Sequence, residues 1–379
     1  MVKVLFPVVS FDYGGVITVN RQYSRILKKI GYQTILMGFE GSIPLKELSN
    51  DFSQVITLKT ERSRNIIAKV IAVLKYRSEL KKIISSSKKN ELIFHISINE
   101  PFLIMMSIIS AWKYKKISAV YGFYFLEKIS QGARWYQIVL NWFLQYVQLI
   151  MATKITVLTQ YSVKMIRNHF PLVDGAKMVM IPATLPRLPT ISKSSLTHKP
   201  LSIFNYGRAE ERKNIVSLLH AIAIINKLKI RAELIIAGTV KYYKYTNILD
   251  TYEQLNLFNS VNFLHSVNKK QVDYLFDQAD VFVMPSKDLE TFGITMLTSL
   301  SKGIPVIGTP IGSIYDVLSL VDDRLLCEDV TPNAIYKKIL WYFNLTQSER
   351  KKLSIKSRLV VKKYYLDKHY IKTILNLYE

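Results

Sequence analysis

The chain has 379 residues, of which 49% are hydrophobic and 52 are lysine or arginine against 28 aspartate or glutamate. This length predicts two domains, and the apolar fraction is high enough to fill real cores, which excludes a disordered chain. The single cysteine, Cys327, excludes a disulfide scaffold and favours a reducing compartment. The N-terminal apolar run is too short for a secretory signal, and no stretch predicts a membrane span. The longest such stretch, 135–152, is interrupted by four amides: Gln137, Asn141, Gln145 and Gln148.

The net charge of +24 predicts an acidic partner, which is nucleic acid, an anionic membrane or a phosphorylated substrate. This charge is unevenly distributed along the chain. Residues 1–200 carry 28 basic and 10 acidic side chains, a net of +18, whereas 201–379 carry 24 and 18, a net of +6. The acidic partner is therefore expected to meet mainly the first half of the chain.

The first half opens with an apolar strand at 2–9, a glycine-containing turn at 12–15, a helical pattern over 18–30 and a second strand at 34–37. This order is a βαβ unit and predicts a parallel sheet. Further strands are expected at 55–58, 92–95, 117–121 and 155–158. A proline-containing segment with clustered serine and threonine, 184–200, predicts a linker.

After this linker the alternation of strands and helices begins again. Strands are predicted at 201–206, 232–237, 261–264, 281–284 and 305–308, and helices at 215–227, 269–278, 294–301 and 332–342. The pattern therefore predicts an α/β protein with two Rossmann-like, doubly wound domains facing across a cleft. In such folds ligands bind beyond the carboxyl ends of the strands.

Four stretches of the second half carry chemistry. In 206–214 a strand end leads into a basic cluster, so that Arg208 and Lys213 can converge on one phosphate near a helix start. The strand 234–238 ends at Gly238, where backbone must come close to another group. The strand 279–286 is followed by a turn that begins at Glu290, whose carboxylate and free N–H groups can bind sugar hydroxyls and a phosphate. A helix stop and a strand follow at 302–310. Each motif alone is weak, and their order and spacing give them weight.

In these motifs the chain resembles the GT-B-fold glycosyltransferases, especially the retaining family 4, over nearly its whole length and most strongly from 202 to 313. The resemblance implies transfer of a sugar from a nucleotide-diphosphate sugar with retention of anomeric configuration. It implies no required metal and no cofactor besides the donor. Residues 1–183 would form the acceptor-side domain, with the tail 366–379 packing back on it, and 201–365 the nucleotide-sugar-binding domain.

The resemblance also implies a role for particular residues. Arg208 and Lys213 would hold the diphosphate and stabilise the departing negative charge, and Glu290 would contact the hydroxyls of the donor sugar. Backbone N–H groups of Phe292 and Gly293 would assist the two cations. A turn of two glycines, Gly14 and Gly15, would close on the diphosphate from the other domain.

Several positions differ from the pattern of the family. Thr298 stands where a second glutamate usually holds the ribose hydroxyls, and it lacks the paired, charge-assisted bonds of a carboxylate. Tyr121 stands where many relatives have a histidine that contacts the donor sugar, and His265 stands where a glycine is common near the base-binding loop. By resemblance His95 faces the acceptor, and the alternative is a histidine packed against its neighbours.

A basic segment of the first half, 62–89, has nine basic residues and one acid, Glu79. Its apolar residues recur at helical spacing, which predicts a basic amphipathic helix on an anionic membrane surface. This apolar stripe consists of Ile66, Ile67, Val70, Ile71 and Leu74. The predicted lipid contacts are Lys69, Lys75, Lys81 and Lys82. The alternative is an ordinary packed helix with a solvated basic face.

Three hypotheses follow. The first is a cytoplasmic glycosyltransferase, peripheral on the inner face of the plasma membrane, that uses a nucleotide sugar and a glycan or lipid-linked acceptor in cell-surface polysaccharide synthesis. The second is a degenerate relative that binds a sugar nucleotide or a partner enzyme without turnover, supported by Thr298 and Tyr121. A nucleic-acid-binding protein ranks last, because no nucleic-acid module is visible. No spacing of His, Asp or Glu indicates a metal site.

Overall fold

A computed structural model of the chain describes residues 2–12, 14–59, 66–97, 101–190, 200–238, 247–265 and 267–379. The chain divides into two compact units. Unit 1 comprises Met1–Pro186 and Asp367–Glu379, and unit 2 comprises Arg187–Leu366. Of the predicted linker, residues 184–186 lie in unit 1, whereas 191–199 lie outside the described residues.

Unit 1 is built on a seven-stranded parallel sheet. Its strands are β1 (Lys3–Ser10), β2 (Gln33–Phe39), β3 (Gln54–Leu58), β4 (Leu92–Ile96), β5 (Lys115–Val120), β6 (Lys154–Val157) and β7 (Met178–Met180). The strand order is β3-β2-β1-β4-β5-β6-β7, so the winding direction reverses between β1 and β4. Strand β7, a three-residue edge strand that pairs with β6, is not among the predicted strands.

Helices connect these strands. They are α1 (Gly15–Lys29), α2 (Leu45–Asp51), α3 (Ile66–Ser85), α4 (Pro101–Ser110), α5 (Tyr124–Ser130), α6 (Trp135–Met151) and α7 (Gln160–His169). Apolar side chains of β1, β4 and β5 are buried, as expected for strands of a parallel sheet covered by helices. Among the described residues, no helix combines the length and the hydropathy that crossing a membrane requires.

Unit 2 has a five-stranded parallel sheet in the order β10-β9-β8-β11-β12. The strands are β8 (Leu201–Tyr206), β9 (Ala232–Gly238), β10 (Val261–His265), β11 (Val281–Met284) and β12 (Val306–Gly308). The helices are α8 (Ile215–Lys227), α9 (Ile248–Gln254), α10 (Lys269–Gln278), α11 (Ile294–Lys302), α12 (Ser313–Val321), α13 (Pro332–Phe343) and α14 (Gln347–Tyr364). The last helix, α15 (Ile371–Tyr378), belongs to unit 1.

The predicted α/β class and the two doubly wound parallel sheets are confirmed. In each unit the first three strands lie side by side in the order third, second, first. The fourth strand lies on the other side of the first strand, which is the Rossmann arrangement. Ligands of this arrangement bind at the carboxyl ends of the strands on either side of the reversal. In unit 2 that place is between β8 and β11.

Strong local signals explain why several helices of unit 2 begin where the sequence predicts. The start of α10 is a capping box, in which the side chains of Asn268 and Gln271 each accept from the backbone of the other. Thr331 caps α13, whose first residue is Pro332, a favoured residue at that position.

Candidate functional site

A pocket of unit 2 lies at the carboxyl ends of β8 and β11, the place where the winding of the sheet reverses. It also includes Thr295 in the first turn of α11. The lining residues are Asn205, Tyr206, Gly207, Arg208, Lys213, Phe282, Met284, Pro285, Ser286 and Thr295. The two predicted cations, Arg208 and Lys213, therefore share one pocket.

A buried ion pair joins the segment that follows β8 to the segment that follows β11. The Lys213 ammonium donates to a carboxylate oxygen of Glu290, which is only 7% exposed. The hydroxyl of Ser286 donates to the same oxygen at 3.4 Å, and the Arg212 guanidinium lies 4.0 Å from it. The carboxylate thus has two cations and a hydroxyl around it, which compensates for its removal from water.

These neighbours determine the charge of Glu290. Burial by itself raises the pKa of Glu290, but the charges of Lys213 and Arg212 and the hydrogen bonds from Lys213 and Ser286 outweigh it, so the pKa lies below its ordinary value. Glu290 is therefore ionised at neutral pH and acts as a hydrogen-bond acceptor. Burial lowers the pKa of Lys213, against the attraction of Glu290.

Hydrogen bonds to backbone carbonyls hold the segments around this pair together. The Lys287 N–H donates to the Arg212 carbonyl at 2.8 Å, and the Arg212 guanidinium donates to the Leu289 carbonyl at 3.2 Å. The Ser313 N–H donates to the Glu290 carbonyl at 3.0 Å. The backbone at Leu289 and Glu290 is consequently held in place by hydrogen bonds from two other parts of unit 2.

Arg208 is more accessible than Lys213. About half of its side chain is exposed (52%), and its guanidinium lies 2.8 Å from Glu210. Glu210 also accepts from Arg212 at 2.7 Å, so one carboxylate bridges two arginines. Because Arg208 is half-exposed and Glu210 keeps its bond to Arg212, an anionic ligand can take the place of Glu210 on Arg208 at small cost.

The start of α11 supplies backbone donors. Gly293 has a φ of +75°, a left-handed conformation that favours glycine. The first N–H groups of a helix have no acceptor within the helix and attract anions. Phe292 is buried and packs edge-on against Tyr365, with ring centroids 5.9 Å apart. The roles of the Phe292 and Gly293 N–H groups stay predictions.

The other predicted donor-side residues have different environments. Gly238 and His265 are opposite each other in the β9–β10 pair. Gly238 is buried and His265 exposed, with its ring stacked on Phe263. The segment 239–246 that follows Gly238 lies outside the described residues. Thr298 is half-buried and donates its hydroxyl to the Ile294 carbonyl at 3.1 Å, within its own helix.

The glycine turn of unit 1 precedes α1. Gly14 caps this helix with an extended φ of 170°, and Gly15 is its first residue. Nothing lies within 4 Å of a Cβ built on Gly14, so within unit 1 other residues also fit at this position. The neighbouring Tyr13 lies outside the described residues. A diphosphate contact of this turn stays a prediction.

His95 lies fully buried at the centre of unit 1. Its Nε2 is 3.1 Å from the Tyr121 hydroxyl, and its Nδ1 is 2.6 Å from the hydroxyl of Tyr378 in α15. Tyr121 donates its proton to the Asn20 side chain at 3.2 Å, so it accepts from His95 Nε2–H, and Nδ1 accepts from Tyr378. These surroundings match the alternative prediction for His95, a histidine packed against its neighbours.

Burial lowers the pKa of His95 from its ordinary 6.5 to about 3. Between these values the unfolded chain binds a proton that the folded chain does not, so the free energy of unfolding falls as the pH drops from 6.5 toward 3. The slope from this residue is at most about 1.4 kcal/mol per pH unit. We expect urea titrations from pH 7 to 5 to show a flatter pH dependence for His95→Gln. The exposed His220→Gln serves as control, and an unchanged slope in His95→Gln contradicts this assignment.

The basic helix α3 differs from its predicted amphipathic form. Val70, Ile71 and Leu74, which form part of the predicted apolar stripe, are exposed, whereas Tyr76 and Leu80 are buried. The four lysines predicted to contact lipid also have different surroundings. Lys75 donates to the Lys59 carbonyl, Lys82 pairs with Glu79 at 2.7 Å, Lys81 is exposed, and the Lys69 side chain lies outside the described residues.

Two residues of the site have no predicted role. Arg212 links Glu210 and Glu290, and Ser286 donates to Glu290. Both residues lie in the motifs described above. Arg212 is next to Lys213 and Ser286 follows the end of β11, and these positions are the sequence signal that indicates them. Among the described residues, no cluster of three or more His, Cys, Asp or Glu is placed to hold a metal ion.

The fold has many counterparts among solved structures. A sucrose-phosphate synthase from Thermosynechococcus elongatus matches all of this chain and 98% of its own, with a TM-score of 0.80 and 16% identity. TarM of S. aureus, in a structure that contains UDP, matches both chains completely, with a TM-score of 0.79 and 13% identity. Anabaena HepE, in complex with UDP and glucose, matches 99% of both chains, with a TM-score of 0.77 and 14% identity. The predicted GT-B fold is therefore confirmed.

The sequence comparison places the family signal in unit 2. Residues 189–360 match the model of the family described as glycosyl transferases group 1. The sucrose-phosphate synthase of Zea mays is 26% identical over 159 residues, which are 38% of this chain and 14% of that protein. The chain thus covers a small part of the curated relatives. Residues 189–360 are thus similar to glycosyl transferases group 1, and the chain as a whole has the GT-B fold.

Proposed function

We propose that the protein transfers a sugar from a nucleotide-diphosphate sugar to an acceptor, without a metal and with retention of anomeric configuration. The observation that carries the proposal is that Lys213, which is paired with the buried Glu290, shares one pocket with Arg208 and the first turn of α11. The family match of unit 2 supports the same reaction class.

Each group has a proposed task in this reaction. As the bond between sugar and diphosphate breaks, negative charge develops on the leaving oxygen. Arg208, Lys213 and the N–H groups at the start of α11 stabilise this charge because they are already in place before the reaction. The ionised Glu290 accepts hydrogen bonds from sugar hydroxyls, which orients the donor.

The donor and the acceptor are proposed by chemical class. UDP in the structures of HepE and TarM supports a nucleoside diphosphate as the leaving group. The net +18 of residues 1–200 supports a membrane-associated or anionic glycan acceptor and a location on the inner face of the plasma membrane, in cell-surface polysaccharide synthesis.

The reaction is tested by incubating the chain with UDP-, GDP- and ADP-sugars and measuring nucleoside diphosphate release. We expect slow hydrolysis of one donor class in the absence of acceptor. The anomeric configuration of the released sugar, observed by NMR at early times, tests retention. Complete inertness toward all donors, together with no nucleotide binding, contradicts the proposal.

A second candidate is a chain that binds a sugar nucleotide without turnover. The hydroxyl of Thr298, which stands at the position of the usual ribose-binding glutamate, is engaged with its own helix at 3.1 Å. We expect Thr298→Glu to tighten nucleotide binding about tenfold or more, because charge-assisted hydrogen bonds contribute about 1.5–3 kcal/mol. Thr298→Gln, which lacks the charge, is the control.

Turnover separates the two candidates. If Thr298→Glu binds the nucleotide more tightly and neither form releases nucleoside diphosphate, the non-catalytic candidate is favoured. If the wild-type chain already turns over a donor, that candidate is excluded. Equal affinity of all three forms contradicts the assignment of Thr298 to the ribose.

A further inference from the structure

One helix of unit 1, α6, has its polar and apolar faces reversed. Its buried side chains include three amides, each with a partner in the protein. Asn141 donates to the Gln137 carbonyl at 2.7 Å, and Gln145 donates to the Gly122 carbonyl at 2.9 Å. Gln148 donates to the Ile96 carbonyl and to Ser118. Three of the four amides of the helix therefore lie in the interior of unit 1, and the fourth, Gln137, is exposed near the start of the helix.

The opposite face of α6 is apolar and exposed. Its six large side chains each keep between 42% and 75% of their surface exposed, and α6 contains no charged residue. We call this set the outer face of α6; its members are Trp135, Tyr136, Val139, Leu140, Phe143 and Ile150. A water-facing helix of a globular protein normally has polar residues in these positions, so the reversed pattern indicates a surface that is covered by an apolar partner.

Basic side chains stand at both ends of this face. Arg134, the residue before the helix, is exposed and lies 3.5 Å from the Tyr136 hydroxyl. Lys177 donates to the Ile150 carbonyl in the last turn at 3.0 Å. Two aromatic rings, Trp135 and Tyr136, stand edge to face at the start of the helix. Such rings, with nearby bases, are characteristic of the boundary between acyl chains and headgroups.

We propose that the outer face of α6 is the surface by which unit 1 lies on an anionic lipid bilayer. The helix would lie parallel to the membrane over about 25 Å, with its apolar side chains among the upper acyl chains. Arg134, Lys177 and the exposed basic residues of α3 would contact the headgroups. The excess of bases in residues 1–200 favours a bilayer over an apolar protein partner. This inference rests on the proposed membrane association and is independent of the proposed chemistry.

The experiment is co-sedimentation of the full chain with vesicles of phosphatidylcholine, with and without phosphatidylglycerol. The test variant is Val139→Gln with Phe143→Gln, two positions more than half exposed (51% and 53%), so the change leaves the core intact. The matched control is Tyr274→Gln with Tyr315→Gln, which are exposed to a similar degree (63% and 54%) in unit 2. Circular dichroism and donor hydrolysis are measured on all forms.

We expect the wild-type chain and the control to bind the anionic vesicles and the test variant to lose roughly tenfold or more of its partitioning. Acyl chains carrying bromine should quench the fluorescence of the wild-type chain, and Trp135→Phe should remove most of that quenching. Equal vesicle binding by test and control variants overturns the inference. It is also overturned if the test variant changes only self-association. If no form hydrolyses a donor while vesicle binding is intact, the proposed reaction is contradicted and the membrane inference still holds.

Discussion

Lys213→Met should slow the release of nucleoside diphosphate from the donor by about 10²–10³-fold, because removing one preorganised charge that stabilises the transition state has an effect of this size. Lys213 lies in the pocket and is fixed by its bond to Glu290, so its charge is in place before the donor arrives. Methionine keeps the length and packing of the side chain and removes the ammonium. The measurement is kcat and KM for donor hydrolysis.

One control and one parallel variant make this result specific. Lys287→Met removes an exposed ammonium that pairs with Glu211 at 2.8 Å, and it should leave kcat nearly unchanged. Arg208→Met should lower kcat as well, since both cations share the pocket. A Lys213→Met variant that folds normally and keeps its kcat contradicts the assigned role.

Glu290→Ala should lower the free energy of unfolding of unit 2 by about 3–5 kcal/mol. The substitution leaves the Lys213 ammonium buried without its carboxylate, with the Arg212 guanidinium close by. The loss of a buried partner costs more than the pair itself contributes. Urea unfolding, followed by tryptophan fluorescence, measures the difference.

The size of this effect depends on the uncompensated charge. In the double variant Lys213→Met with Glu290→Leu both charges are absent, so much of the stability should return. Glu253→Ala, at an exposed position of α9, is the control and should change stability by no more than about 0.5 kcal/mol. If Glu290→Ala unfolds like the control, the pair is not a buried ion pair in solution.

Most of the fold is predictable because its signals are local. The apolar runs and capping residues of unit 2 predict β8, β11, α8 and α10 with their observed bounds. Edge strand β7 was missed because three residues, Met178–Met180, carry too little pattern. The start of α1 at Gly15 was missed because its first turn has no side-chain cap or acidic residue to mark it.

Less of the site could be predicted, because its contacts join distant parts of the chain. The motifs identify Lys213 and Glu290, but their direct bond spans 77 positions and depends on how two loops meet. His95 has a partner 283 positions away, Tyr378, that no local pattern indicates. In α6 the amides are visible in the sequence, but which face they occupy depends on unit 1 as a whole.

The pocket between β8 and β11 of unit 2 is proposed to bind a nucleoside diphosphate through Arg208 and Lys213. Calorimetric titration of UDP, GDP and ADP into the wild-type chain and into Arg208→Ala measures this binding. We expect one nucleotide to bind the wild-type chain and to bind Arg208→Ala about tenfold to a hundredfold more weakly, as the loss of a charge-assisted hydrogen bond implies. Absence of binding by all three, or equal binding by both forms, contradicts the account.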